Sequence, residues 1–366
     1  MLQKKGTQFI TIKNVSGVLT FLAISFFLIG TLISCTREID NPNPEPAMAA
    51  QMNKNNISSM PGTPQLLVSG LQGASGSTIG PGGALYVTEG AIGRISRVDP
   101  KTGDVSTFTT GLPPSIIGIG GVYDLAFIDG IAYAVVTLVD DPNLFPTGQV
   151  NGIYRIDGPN SYTIIADVGA YNLAHPPTGF SFFVSTGVQY AIQTYRGGFL
   201  LTDGHLNRIL HVTLNGEITE FKRFGNIVPT GLALWGNTVY MSEAGPVPHL
   251  PENGKVVSFD QNSPTVTTEA AGARLMVDVE FNRGRTLFGL SQGIWEGGPG
   301  DEGSPATPNT GALVRVNDDG TFTTVAEGLD RPTSLEFINN TAYIITLTGE
   351  IWTINNVAGP PYGKQQ

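Results

Sequence analysis

A four-part pattern of short apolar strands returns along this chain at a period of roughly 40 to 55 residues, and no other feature restricts the fold as much. The first part is YDLAFIDG from Tyr123, TGLALWGN from Thr230, VDVEFNRG from Val277 and TSLEFINN from Thr333. The second is ALYVTEG from Ala84, FLLTDG from Phe199, TVYMSEAG from Thr238 and AYIITLTG from Ala342. The third is GRISRVDPKTG from Gly93, GIYRIDGPN from Gly152, NRILHVTLNG from Asn207, GKVVSFDQN from Gly254, GALVRVNDDG from Gly311 and GEIWTINN from Gly349. The fourth is DVSTFTTGL from Asp104, YTIIADV from Tyr162, EITEFKRF from Glu217, TVTTEAAG from Thr265 and TFTTVAEGL from Thr321. Asn, Asp and Gly punctuate each unit, as tight turns require. One four-stranded sheet cannot bury both faces by itself, so such units pack face to face around an axis.

Counting third strands gives six blades, and the sixth lacks a fourth strand. The missing piece lies at the other end, where PQLLVSGL from Pro64 to Leu71 copies the pattern TTVAEGL. The expected fold is therefore all-β, a six-bladed β-propeller over residues 63–357 closed by an N-terminal strand, with a C-terminal tail at 358–366. Composition agrees: 47 Gly and 25 Pro against only 14% charged residues indicate many turns and few exposed helices.

The first 34 residues read as a signal peptide: Lys4, Lys5 and Lys13 precede an apolar run from Val18 to Ile33. Leu32-Ile33-Ser34-Cys35 then resembles the bacterial lipobox, which implies lipidation of Cys35 and a lipid membrane as partner. Residues 35–62, rich in Asn, Pro and Ser, read as a flexible tether. The expected address is the cell envelope, and Thr36 after the cysteine favours the outer membrane in a Gram-negative cell. Cys35 is the only cysteine, which excludes an intramolecular disulfide or a thiolate metal cluster. The formal charge is −10, and loss of the three leader lysines makes it about −13, so nucleic acid is an unsuitable partner.

Several stretches together resemble the ScyD/ScyE family of bacterial propellers, which is related to NHL-repeat propellers. They are GRISRVDPKTG from Gly93, VYDLAF from Val122, FLLTDGHLNRILHVTLNG from Phe199, VPTGLALWGNTVYMSEAG from Val228 and GALVRVNDDGTFTTVAEGLDRPTSLEF from Gly311. The resemblance spans Leu67 to Ile354. It departs at blade three, where the family's Asn-Pro-Tyr-Gly start reads QYAIQ from Gln189, and at a long excursion around His175. It implies a six-bladed propeller and carries no catalytic residues with it.

In a propeller the start of each first strand and the end of each second strand share one face, around the channel mouth. Glu89, Asp203 and Glu243 fall at second-strand ends, and Asp124 and Asp278 at first-strand starts, so five carboxylates are expected to converge there. Such a set suits a divalent cation such as calcium. Resemblance to six-bladed lactonases of the gluconolactonase type implies comparable parts for Glu89 and Asp278, although the metal-binding asparagine of that group has no counterpart. The residues equally allow Glu89, Asp203 and Glu243 to bond turn amides.

The long insertions Leu138–Asn151, Pro246–Asn253, Gly293–Thr310 and Tyr171–Gln189 map to the same face, together with His175, His205, His249 and Trp295 as ligand-face candidates. Ser291 in GLSQG matches GxSxG, but it ends a strand with no helix to follow. Two functions emerge: a module that binds or scaffolds a small molecule or an envelope protein, and alternatively a metal-dependent lactonase or hydrolase.

Overall fold

The computed structural model describes residues 61–260, 263 and 265–357. The leader, Cys35 with the tether up to residue 60, and the tail at 358–366 lie outside the described residues. Strand β1 (Gln65–Val68) comes first. Blade one follows as β2 (Ala74–Ile79), β3 (Leu85–Glu89), β4 (Arg94–Val98) and β5 (Val105–Thr109). Blade two is β6 (Gly121–Ile128), β7 (Ile131–Thr137), β8 (Gly152–Gly158) and β9 (Ser161–Asp167), with helix α1 (Val168–Ala174) after it. Blade three is β10 (Gln189–Tyr195), β11 (Gly198–Asp203), β12 (Arg208–Thr213) and β13 (Ile218–Arg223). Blade four is β14 (Pro229–Trp235), β15 (Thr238–Glu243), β16 (Lys255–Asp260) and β17 (Thr267–Ala271). Blade five is β18 (Met276–Phe281), β19 (Leu287–Ser291), β20 (Gly311–Val316) and β21 (Phe322–Leu329). Blade six holds β22 (Pro332–Ile338), β23 (Thr341–Thr346) and β24 (Ile351–Asn355).

Each blade is an antiparallel four-stranded sheet, and the first strand of each packs against the first strand of the next until β22 meets β2. The protein is a six-bladed β-propeller. Its sixth sheet is completed by β1, which pairs antiparallel with β24 through Gln65↔Thr353 and Val68↔Ile351. The ring is thus shut by the N-terminal strand, and β24 is left with no bare edge.

Strand periodicity explains the packing. Neighbouring residues point to opposite sides of a sheet, so Val136 faces Tyr86, Ile95 and Leu112 of blade one, while Val135 faces Phe199, Leu201 and Leu210 of blade three. Second strands are therefore buried on both sides, and β3 and β11 are buried along their whole length. Each fully buried Val, Leu or Phe contributes about 1.5–3 kcal/mol by leaving water.

A belt of hydrogen bonds from first and second strands ties each blade to the inner strand of its neighbour. Thr88 Oγ1 donates to Tyr123 O, Thr202 Oγ1 to Thr230 O and Thr230 Oγ1 to Met276 O. Ser77 and Ser334 share a hydroxyl bond that closes blade six on blade one. At the other two interfaces inner-strand carboxylates join in: Asp124 accepts from Ile192 N and Asp278 from Leu335 N.

The two faces of the ring differ. On one, first and second strands meet in tight turns such as Asp129-Gly130, whose φ angles of 51° and 79° suit a hairpin of the primed type. On the other, inner strands begin and second strands end, and all four long insertions leave from there. We call these the turn face and the loop face.

Candidate functional site

The inner strands enclose a cavity of about 220 Å³ whose lining includes four carboxyls: Asp124, Asp278, Glu280 and Glu336. Asp124 and Asp278 sit in blades two and five, across the channel from one another. Each spends Oδ2 on the next blade's amide, at 2.9 Å and 2.7 Å. Glycine makes room for them: a Cβ on Gly76 would strike Asp124, and one on Gly231 would strike Asp278. Glu280 and Glu336 hold matching positions in neighbouring blades, opposite Phe288 and Tyr343 in their hairpins.

Burial favours the protonated form of all four. It raises Asp278 to about 7 against the amides of Leu335 and Val279, and with the Asp278 charge it raises Glu280 to about 8. Asp124 and Glu336 are held well above the usual carboxylate range by burial and by the neighbouring acids.

A pair of tyrosines lies near the carboxyls. Tyr123 and Tyr190 meet edge to face with centroids 5.2 Å apart, and burial raises the Tyr123 phenol to about 12. Tyr190 packs on the cluster that contains Ala244, Leu275, Val277 and Trp295.

The expected convergence of five carboxylates is not found. Among the described residues no group of three or more His, Cys, Asp or Glu is disposed to hold a metal ion. Glu89 is engaged by Arg94 at 2.7 Å, by Ser96 and by Gln72 N, and these partners overcome burial to hold it below its usual range. Asp203 accepts from Val188 N, Leu206 N, Asn172 and Gln189. Asp124 and Asp278 lie below the mouth as interface carboxylates, and Glu243 stands apart at the end of β15.

The ligand-face candidates divide as well. His205 Nε2 accepts from Phe183 N and Val184 N, both at 3.0 Å, so it is neutral and holds a loop; burial also lowers its pKa. Trp295 is 5% exposed and donates Nε1–H to Ser304, and His249 is buried with its ring 5.9 Å from that tryptophan. These three are therefore packing groups. His175 alone is exposed, stacked on Tyr171 at 4.3 Å. Ser291 donates to Arg274 O, which leaves no activated nucleophile in GLSQG.

Glu280 and Glu336 are not among the five expected carboxylates, yet their signal is in the sequence. Glu280 lies two residues after Asp278 on an inner strand, hence on the same side, and VDVEF aligns with TSLEF.

On the loop face the insertions brace each other. Asp141 Oδ2 accepts from Ser185 N and Ser185 Oγ, both at 2.7 Å, and from Thr186 N, while Thr186 Oγ1 donates to Asp140 O. Fully buried Arg208 donates to His175 O and Asn172 Oδ1 at 2.8 Å and 2.7 Å. Leu144 and Phe183 stand exposed beside this network, at 50% and 56%.

No family profile matches the chain, and no curated protein sequence does either. Solved structures resemble it in fold. A gluconolactonase from Xanthomonas campestris superposes with a TM-score of 0.55 at 12% identity, over 80% of this chain and 88% of that one. The PQQ-bound aldose sugar dehydrogenase from Streptomyces coelicolor gives a TM-score of 0.55 at 16% identity, over 80% of this chain and 98% of that one.

Proposed function

We propose that this propeller is a lipid-anchored binding module of the cell envelope, of the ScyD/ScyE type, which engages a partner through its loop face. The observation that carries the reading is the braced loop network. An insertion that is merely tolerated has no need of cross-links to its neighbours, whereas a rigid rim bearing exposed apolar side chains binds with little ordering cost. Leu144 and Phe183 would supply the apolar contact. A photo-crosslinking residue at position 183 in cells should capture a defined partner, and one at Ile131 on the turn face should not. Equal capture from both positions, or none from 183, would reject the loop face as the binding face. The anchor is checked separately: Cys35→Ser should abolish labelling by a fatty-acid probe and release the protein from membranes.

A second reading, hydrolysis of lactones or esters, is favoured by the channel acids and by the fold shared with a gluconolactonase. Acids that stay protonated near neutrality suit general-acid chemistry. Turnover of a lactone or ester that falls at least a hundredfold in Glu280→Gln, with the fold intact, would establish it over the binding role.

A further inference from the structure

The cavity among the inner strands is lined by Asp124, Asp278, Glu280 and Glu336, and by no lysine or arginine. The aspartates and the glutamates are used differently. Asp124 Oδ2 accepts from Ile192 N, and the two oxygens of Asp278 accept from Leu335 N and Val279 N, so the aspartates serve the blade interfaces. Among the described residues neither glutamate accepts an amide from another blade. Glu280 Oε1 takes Phe281 N of its own strand at 2.8 Å, and Glu336 has the Thr78 hydroxyl beside it. The two glutamates lie close enough for the charge of Glu280 to act on Glu336. Two carboxyls with oxygens to spare therefore face one cavity from neighbouring blades.

A second group at the same place lacks a partner. Tyr190 Oη is shut off from solvent and has no hydrogen bond among the described residues. The charges of Asp124 and Asp278 reach it, which sets it beside the acids of the cavity. A buried hydroxyl is normally bonded to protein or to something held by it. The cavity also has a way out. A surface hollow of about 300 Å³ between the turns of blades two and three shares Phe127 and Thr194 with it, flanked by Asp129 and Arg196.

We propose that the channel binds a small organic cation, admitted from the turn face between blades two and three, with its ammonium group seated between Glu280 and Glu336. Its N–H donors would meet the spare glutamate oxygens, and its charge would balance acids that have no basic side chain among them. An organic cation suits the cavity better than a metal ion, because no three of these acids are disposed to share one. Without a cation, burial and mutual repulsion keep the glutamates protonated, so uptake of the ligand must release a proton. The site is the channel and not the loop face, so it goes beyond the partner-binding reading. It is read by binding, whereas hydrolysis in the same channel is read by turnover, so either can fail without the other.

The test is calorimetric titration of the full chain in detergent with putrescine, its uncharged diol analogue and calcium. Putrescine should bind, should release protons seen as a buffer-dependent heat, and should bind roughly tenfold or more tighter at pH 8.5 than at pH 6. Glu280→Gln and Glu336→Gln should each weaken it roughly tenfold or more and leave the melting temperature equal or higher. In the unaltered chain putrescine should raise the melting temperature and the diol should not, a comparison that needs no variant to fold. Equal binding of the diol, a response to calcium alone, no response to putrescine, or unaltered affinity in either folded glutamine variant would overturn the proposal.

Discussion

Asp278 holds blade six by the Leu335 amide while facing the channel, so its ionisation is tied to the stability of the ring. Asp278 and Glu280 are raised to about 7 and about 8, so the folded state keeps their protons to a higher pH than the unfolded chain does. Their contribution is therefore complete below about pH 4 and is lost as pH rises through 7 to 8, each tenfold difference in proton affinity between the two states being worth about 1.4 kcal/mol. Urea melts between pH 5 and pH 8.5 should show falling midpoints, and Glu280→Gln should flatten that slope; an unchanged slope would contradict the assignment. Gly231→Ala drives a Cβ into Asp278 and should cost about 1–3 kcal/mol on the same melts. At this scale the sequence was only partly readable. Asp124 and Asp278 stood out by type, but their depth depends on how far the inner strand runs before its side chains turn inward. His205 and Trp295 read as loop residues on a binding face, because their partners are set by loop conformation rather than by strand period: Phe183 and Val184 amides for the first, a buried cluster for the second.

Among elements, β1 has the greatest leverage for its length. Val68 is buried with Ile345 and Ile351, whereas Leu66 on the same strand is half exposed. Val68→Asp should destabilise by about 3 kcal/mol or more through an unpaired buried charge. Leu66→Asp should stay within about 0.5 kcal/mol in the same denaturation assay. The bracing of the loop face makes a different prediction. Asp141→Ala removes the acceptor for Ser185 and Thr186, so hydrogen exchange in residues 183–187 should speed up while the β7 and β11 amides keep their protection. Blade number, strand order and the closing strand were all legible, because each repeats a two-residue period bounded by Gly and Asn turns. Helix α1 was not, since it rests on a local device: Asp167 at its N-cap accepts from Ala170 N. Such a cap leaves little trace inside an excursion of mixed composition.

Taken whole, the molecule puts its acids in the channel, its insertions on one face and both ends of the ring in one blade. Strand β1 starts on the turn face, where Gly62 N donates to Asn355 O at 2.7 Å, and runs toward the loop face beside β24. The chain therefore enters the propeller at residue 61 on the side opposite the insertions. Tension applied between residue 61 and the loop face acts along the axis of β1, so the bonds linking β1 to β24 carry load together in shear instead of opening one after another. The force passes into a single blade and spares the other five blades. A propeller pulled in this way should resist up to one abrupt event, the loss of β1, and single-molecule extension between residue 61 and a handle on the loop face should show that step before any other blade unfolds.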